Sequence, residues 1–486
     1  MALAVRMRAA RRLAIAALAV VLGTAGSACA TYSDKTEAAR AALERGDYPG
    51  SIKQWNKILE VHDADALPSE WKKEHALVVL ERGMVLQAMQ EYQSSAKSLG
   101  AAEKQLEFLD IARDGAGKLG KYVYSDSATK YKTSPTEKLS LNAINLVNYL
   151  AQGDLGGAKV EAKRFTVMRT YLRDFDPEHE HGAFGSYLAG FVHERLGNYD
   201  EALRYYDEAL QQRELPGLAP AIQRCAVKGS YRTERLDRYL GGAPLPAPPT
   251  EAAPSGDVQS DDVPQGTSEP TPAPIPVPAA APAGAAEVFV IIKTGRVPYK
   301  VPRRIPIGAA IGLAGAYVTG DTTLLEHSAM KVVVFPDLEP AGNLFEDAAW
   351  SIDGQPIQLD LVSDLGAEIT HEFEQIKPKI IGSAITRMIV RAAAAEGARA
   401  AGNQANGAVG LIGALALEAT LVAVDKPDTR SWTLLPDRVF IGRAMVPAGE
   451  HGVDIVVFGN GGEERRSMQV NVGEGGYVVL DVTTLR

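Results

Sequence analysis

Cysteine is nearly absent: the 486 residues hold two, Cys29 and Cys225. Two thiols are too few for a disulfide framework. Cys225, in AIQRCAVKG, reads as a small buried apolar residue. Long charge-free apolar runs are missing as well, and a helix needs about 20 such residues to cross a bilayer. The run 13–23 is too short, and Glu418 interrupts the run 408–424. Positive charge is in deficit, with a net charge of −9. That argues against a nucleic-acid partner, because phosphate binding wants a basic face.

Motifs of chemistry are absent too. There is no Walker loop. GAVGLIG, residues 407–413, has the glycines but no following lysine, and reads as close helix packing. There is no H-E-x-x-H. DPEHEHG, residues 176–182, sets His179 and His181 at strand spacing, yet Pro177 and Gly182 mark a solvated turn. THEFEQ, residues 370–375, reads as a charged helix face around His371, Glu372 and Glu374. No metal, cofactor or catalytic residue is therefore expected. Asp360, Asp364 and Glu368 would make a hydrolase only if two of them converged in a cleft, about 5–9 Å apart.

What is present begins at the N-terminus. Arg6, Arg8, Arg11 and Arg12 precede LAIAALAVVLG, and small residues follow from Thr24 to Ala28. This is the layout of a secretory signal peptide. The small residues end on a thiol, and GSAC, residues 26–29, resembles a bacterial lipobox. The expectation is a lipoprotein signal peptide over 1–28 and lipidation at Cys29, with acyl chains contributing about 0.8 kcal/mol per buried methylene. Cys225 then has no thiol to pair with. Ala30 after the cysteine points, by the same resemblance, to the outer membrane and its periplasmic face.

Residues 241–286 hold 12 of the 28 prolines and almost no large apolar side chain. They read as a disordered, partly polyproline spacer, long enough to hold two domains well apart. Upstream, residues 29–240 are helical in pattern. GNYDEALRYYDEAL (197–210) places Gly197, Tyr199, Ala202, Tyr206 and Ala209 at the spacing of a second tetratricopeptide (TPR) helix, and YLAGFVHERL supplies the first. Segments 46–59, 81–102 and 153–165 repeat the scheme. Helix pairs of this kind bury their apolar faces by stacking on the next pair. The spacing of the units is uneven, which implies other helices between them, notably around 103–145, with a loop at 125–138.

Downstream, residues 287–486 read as an α+β domain. Strands are expected at 288–292, 331–335 and 355–364, and a long helix from Gly366 to Asn403 that Pro378 starts or kinks. The end, with Gly-rich turns at GNGGEE and GEGG, reads as antiparallel β-hairpins. On the long helix Arg387, Arg391 and Arg399 share one face, a candidate anion-facing stripe.

The segments CATYSD, ALERGDYPGSI, LERGMVLQAMQEYQSSAKSL, EVFVIIKTGRVPYKV, ITRMIVRAAAAEGA and KPDTRSWTLLPDRVFIGRAMVPAGEHGV together resemble a family of proteobacterial outer-membrane lipoproteins. That family has TPR-like repeats in its N-terminal half and no established activity. The resemblance adds only a hint of envelope or peptidoglycan assembly; the anchor and the repeats together lead to the expectation of a lipid-anchored, non-enzymatic adaptor of the cell envelope. A protein partner is expected in the TPR-like groove. The alternatives are a structural subunit of an envelope machine and a glycan or lipid hydrolase with its site in the C-terminal domain.

Overall fold

The computed structural model describes residues 32–108, 131–175, 179, 181–240, 285–318, 322, 332–405 and 427–486. Residues 1–28, read as a signal peptide, Cys29, most of the Pro-rich linker and the apolar run 408–424 lie outside the described residues.

The N-terminal half is a stack of helix pairs: α1 (Tyr32–Glu44) with α2 (Tyr48–Leu59), α3 (His75–Ala88) with α4 (Tyr92–Gln105), α5 (Pro135–Ala151) with α6 (Leu155–Phe175), and α7 (Ala183–Arg195) with α8 (Tyr199–Gln212). One turn is reused in each pair. Gly46, Gly153 and Gly197 sit at φ 73–75°, two residues before the second helix. Only glycine adopts that conformation freely. In the second pair Gln90 takes the same place at φ 64°. Small residues set the packing distance within a pair: a Cβ on Gly190 would lie 2.4 Å from the Tyr206 ring.

Between the first two pairs the chain runs through residues 60–74 without a helix. The stretch between α4 and α5, where the sequence reading places further helices, lies largely outside the described residues. Helix α5 starts inside the stretch read as a loop. Ser134 and Glu137 form a reciprocal capping box there, with Pro135 in the first turn, the arrangement that starts helices. Two short helices, α9 (Ala219–Ala226) and α10 (Glu234–Tyr239), end this half. The dipeptides β1 (Glu107–Phe108) and β2 (Lys132–Thr133) pair in parallel.

The C-terminal half contains β3 (Ala286–Thr294), β4 (Tyr299–Pro306), α11 (Ile307–Ala314), β5 (Val332–Glu339), β6 (Asp347–Ile352), β7 (Gln355–Pro356), β8 (Leu359–Asp364) and α12 (Leu365–Ala405). It ends with β9 (Arg438–Val446), β10 (Gly449–Gly459), β11 (Gly462–Val472) and β12 (Tyr477–Thr483). Two four-stranded sheets run β12-β3-β9-β8 and β11-β10-β6-β7. Val288, Val290 and Ile292 of the first sheet pack with Trp350, Ile352, Val453 and Ile455 of the second. Helix α12 continues through Pro378. The chain's end is only partly hairpin: β10 and β11 pair over their full length, but β12 crosses to the other sheet and pairs parallel with β3.

The halves do not stand apart as the linker suggested. Every residue of β3 is buried. Its other face, Phe289 and Ile291, joins the core of the helical half beside Leu77, Phe191 and Tyr187. The molecule is therefore layered as helices, sheet and sheet. A strand covered on both faces loses the in–out alternation, and AEVFVIIKT has none.

Candidate functional site

The inner surface of a repeat stack is where a partner is expected, and here it is formed by the first helix of each pair. Helix α3 reads HALVVLERGMVLQA, and every residue from His75 to Gln87 is buried. Helix α7, AFGSYLAGFVHER, is buried from Ala183 to His193. Neither has a solvated face. By contrast the second helix α8 buries Ala202, Leu203, Tyr206, Ala209 and Leu210 and leaves Glu201 exposed. A helix apolar on all sides needs cover on all sides. The second helices supply one side. The C-terminal half supplies the other, with β12 against α3 and α5, β8 against α7, and α12 against α5. Phe191 stacks on Phe289 with ring centroids 4.4 Å apart.

The expectation of a partner in the groove is thereby corrected: the groove holds the chain's own C-terminal half. Part of that half is the irregular segment 429–436, buried throughout. Such a segment brings backbone N–H groups that have no ladder partner, and buried donors must be satisfied. Two carboxylates do this. Glu81 of α3 accepts from the Thr433 N–H at 2.8 Å, the Thr433 hydroxyl at 2.8 Å and the Leu434 N–H at 2.9 Å. Glu137 of α5 accepts from the Trp432 N–H at 2.7 Å. Trp432 itself is fully buried. Burial pushes the Glu81 carboxyl up to about 7 and raises that of Glu137.

Charge is also buried elsewhere in the junction between the halves. Arg443 of β9 lies 2.8 Å from Glu194 of α7 and 2.7 Å from Glu287 of β3. It also donates to the Tyr206 hydroxyl at 2.9 Å. Arg224 of α9 reaches both carboxylates, at 2.9 and 3.2 Å. Burial opposes ionisation of Glu194, yet Arg443, Arg224 and Tyr206 hold its carboxyl down at about 2. A second buried pair joins Lys293 of β3 to Asp481 of β12 at 2.9 Å, and Lys293 also donates to Gln87 of α3. Burial lowers the pKa of Lys293 and raises that of Asp481.

The residues singled out in the sequence fall in and around this junction. Asp360 accepts from the Gly217 N–H at 2.8 Å, and burial pushes its carboxyl up to about 6. Glu368 accepts from Gln212 at 3.1 Å and Ser363 at 2.8 Å, and burial pushes it up to about 7. Asp364 caps α12 through the Ala367 N–H. Each carboxylate serves a contact of its own. Glu372, read as part of a charged helix face, accepts from the Thr136 N–H at 3.0 Å at the start of α5. The two histidine segments meet: the ring centroids of His179 and His371 are 4.0 Å apart. No group of three metal-ligating side chains occurs among the described residues. Cys225 is buried, and burial raises its thiol pKa. Arg387 is half-buried on α12; the side chains of Arg391 and Arg399 lie outside the described residues, as does Cys29.

Sequence reasoning missed Glu81, Glu137, Arg443 and the segment 429–436. A signal for them existed. Glu81 and Arg82 interrupt the apolar middle of a helix, between Leu80 and Met84, and charge in such a place implies a buried partner.

The tetratricopeptide repeat family matches residues 183–214, the pair α7–α8 built around Gly190 and Tyr206. The chain contains a tetratricopeptide repeat, and its other helix pairs stack in the same manner. Among solved structures it is similar to the crystal structure of MamA protein, at 16% identity and a TM-score of 0.26, over 40% of this chain and 78% of that one. No curated protein matches it.

Proposed function

We propose that the chain is a non-enzymatic adaptor of the cell envelope, anchored by acyl chains at Cys29 to the periplasmic face of the outer membrane. It works through protein–protein contact. The tetratricopeptide pair at 183–214 carries this reading, because stacked repeats present extended surfaces to polypeptide partners. The inner surface is already filled, so the partner engages the outer one. There α6 leaves Val160 50% and Val167 69% exposed, seven residues apart on one side of the helix, with Lys163 and Arg164 between them. A non-catalytic role is supported by Asp360, Asp364 and Glu368, each committed to a structural contact.

Photo-crosslinking in the cell tests it. A crosslinking residue at Val167 is expected to give a discrete adduct that Val160→Asp removes, while one at Lys53 on α2 gives none. Cys29→Ser is expected to abolish metabolic labelling of the protein by an alkyne-tagged fatty acid. No adduct from Val167 sinks the adaptor reading, and wild type that takes up no label, or labelling that survives Cys29→Ser, sinks the anchor.

A further inference from the structure

The strands β4 and β5 form a two-stranded ribbon outside both sheets, and α11 joins them by way of residues 315–331. With the middle of α12 they enclose a small core of their own, including Val333, Phe335, Ile381, Ile385 and Met388. Helix α11 reads IGAAIGLA and has no polar residue. Ala310 and Ala314 are buried against this core, while Ala309 and Leu313 are exposed. Four of the ten large apolar side chains exposed among the described residues lie on these elements or just beside them: Leu313 (54%), Tyr317 (42%), Val332 (44%) and Val390 (63%). Exposed apolar side chains gathered on neighbouring elements point to a contact. A helix apolar all round and only half covered lacks a layer.

Charge indicates what the layer is. The whole chain is acidic, yet this part is basic. Lys300, Arg303 and Arg304 lie on β4, and Lys377, Lys379 and Arg387 on the adjoining part of α12. Arg303 and Lys377 both pair with Asp337, at 2.8 and 2.9 Å. Arg304 is exposed and, like Lys379, makes no ion pair among the described residues. The Lys379 ammonium lies 5.3 Å from the centre of the exposed Tyr317 ring. Apolar side chains, an aromatic ring and basic heads around one short helix are the features of a segment lying in a membrane interface. No described helix is long and apolar enough to cross a membrane, so the contact lies along the surface.

We propose that the ribbon and α11 form a docking surface for an anionic lipid bilayer, with Leu313, Tyr317 and Val332 entering the headgroup region and Arg304 and Lys379 meeting lipid phosphates. This contact is separate from the anchor at Cys29, and the test removes the anchor. The mature chain carrying Cys29→Ser, exported by a cleavable signal in place of residues 1–28, is sedimented with vesicles of phosphatidylglycerol and phosphatidylethanolamine, and with phosphatidylcholine vesicles. Binding is expected to the anionic vesicles and to be weaker on phosphatidylcholine. Arg304→Ala should weaken it about fivefold, the equivalent of one basic residue near an anionic surface. Leu313→Glu and Val332→Glu, on different elements, should each abolish it with circular dichroism unchanged. Equal binding by all variants overturns the proposal. So does a lack of vesicle binding together with self-association that Leu313→Glu removes, which would make a second copy of the chain the missing layer.

Discussion

Helices α3 and α7 on one hand and α11 on the other share a sequence property and have opposite surroundings. All three are apolar around most of their circumference. The first two are closed in by the chain's own sheet; the third is covered on one side and open on the other. An apolar helix announces that it needs a second layer, and only the tertiary structure tells whether that layer comes from the same chain. The polar groups mark the difference. At the junction, charges are buried in pairs with defined partners, as with Arg443 between Glu194 and Glu287. Around α11, basic side chains stay at the surface.

The largest effect is expected at that buried network. Arg443→Ala leaves Glu194 and Glu287 with less compensation in a buried site, at a cost of about 3–5 kcal/mol. Thermal or urea unfolding measures it. The same variant sharpens the comparison when the linker is cut between residues 241 and 284. The wild-type halves should co-elute on size exclusion after cleavage, and the Arg443→Ala halves should separate. Wild-type halves that part on cutting would show that the linker, and not the junction, keeps them together.

Glu81 comes next. Glu81→Ala strips the acceptor from the Thr433 and Leu434 N–H groups, and leaving buried donors unmade should cost about 3 kcal/mol. The pH dependence has a definite sign. The Glu81 carboxyl is raised from 4.5 to about 7 in the folded chain, as is that of Glu368. The folded state binds these protons more tightly than the unfolded one. Their contribution is complete below pH 4.5, is lost as pH rises to about 7, and is level beyond. Glu194, held at about 2, acts in the opposite sense only below pH 4.5. The Glu81 and Glu368 carboxyls should therefore lower stability between pH 4.5 and 7, against the opposite contribution of His75 and His193, whose pKa burial lowers. The difference between wild type and Glu81→Gln isolates the Glu81 carboxyl: wild type should lose more stability across this window than the variant, and equal slopes would show that Glu81 is not held protonated by its burial.

The helical repeats were largely readable from the sequence, because their signal is local: a turn glycine, an aromatic two residues later in the pairs at Gly46 and Gly197, small residues at the close contacts. The pair at 197–210 and its preceding helix are where the family match falls. The docking of the halves was not readable. Its signals, the missing alternation in β3 and the missing polar face in α3, say that cover exists without naming it. The Pro-rich linker pointed the wrong way, since a long tether permits separation and equally permits return. The segment 429–436 has no periodicity at all, and its role appears only when Glu81 and Glu137 are seen to hold its N–H groups.

A smaller effect tests the repeat turn. Gln90 sits at φ 64° where the other three pairs use glycine, and a side chain in that conformation costs about 1 kcal/mol. Gln90→Gly should therefore raise stability by about that amount, offset in part by the greater freedom glycine gives the unfolded chain. No change, or a loss, would mean that the Gln90 side chain contributes as much as its backbone strains.

The smallest effect is expected on the open side of α11, and it separates the two classes of apolar helix most directly. Leu77 of α3 is fully buried and Leu313 of α11 is 54% exposed. Glutamate at position 77 would bury an unpaired charge and should prevent the junction from forming. Glutamate at position 313 keeps its carboxylate in water, so the unfolding free energy of the isolated chain should move by no more than about 0.5 kcal/mol. A loss of several kcal/mol from Leu313→Glu would mean that α11 already has its second layer within the chain, and the contrast between the two regions would disappear.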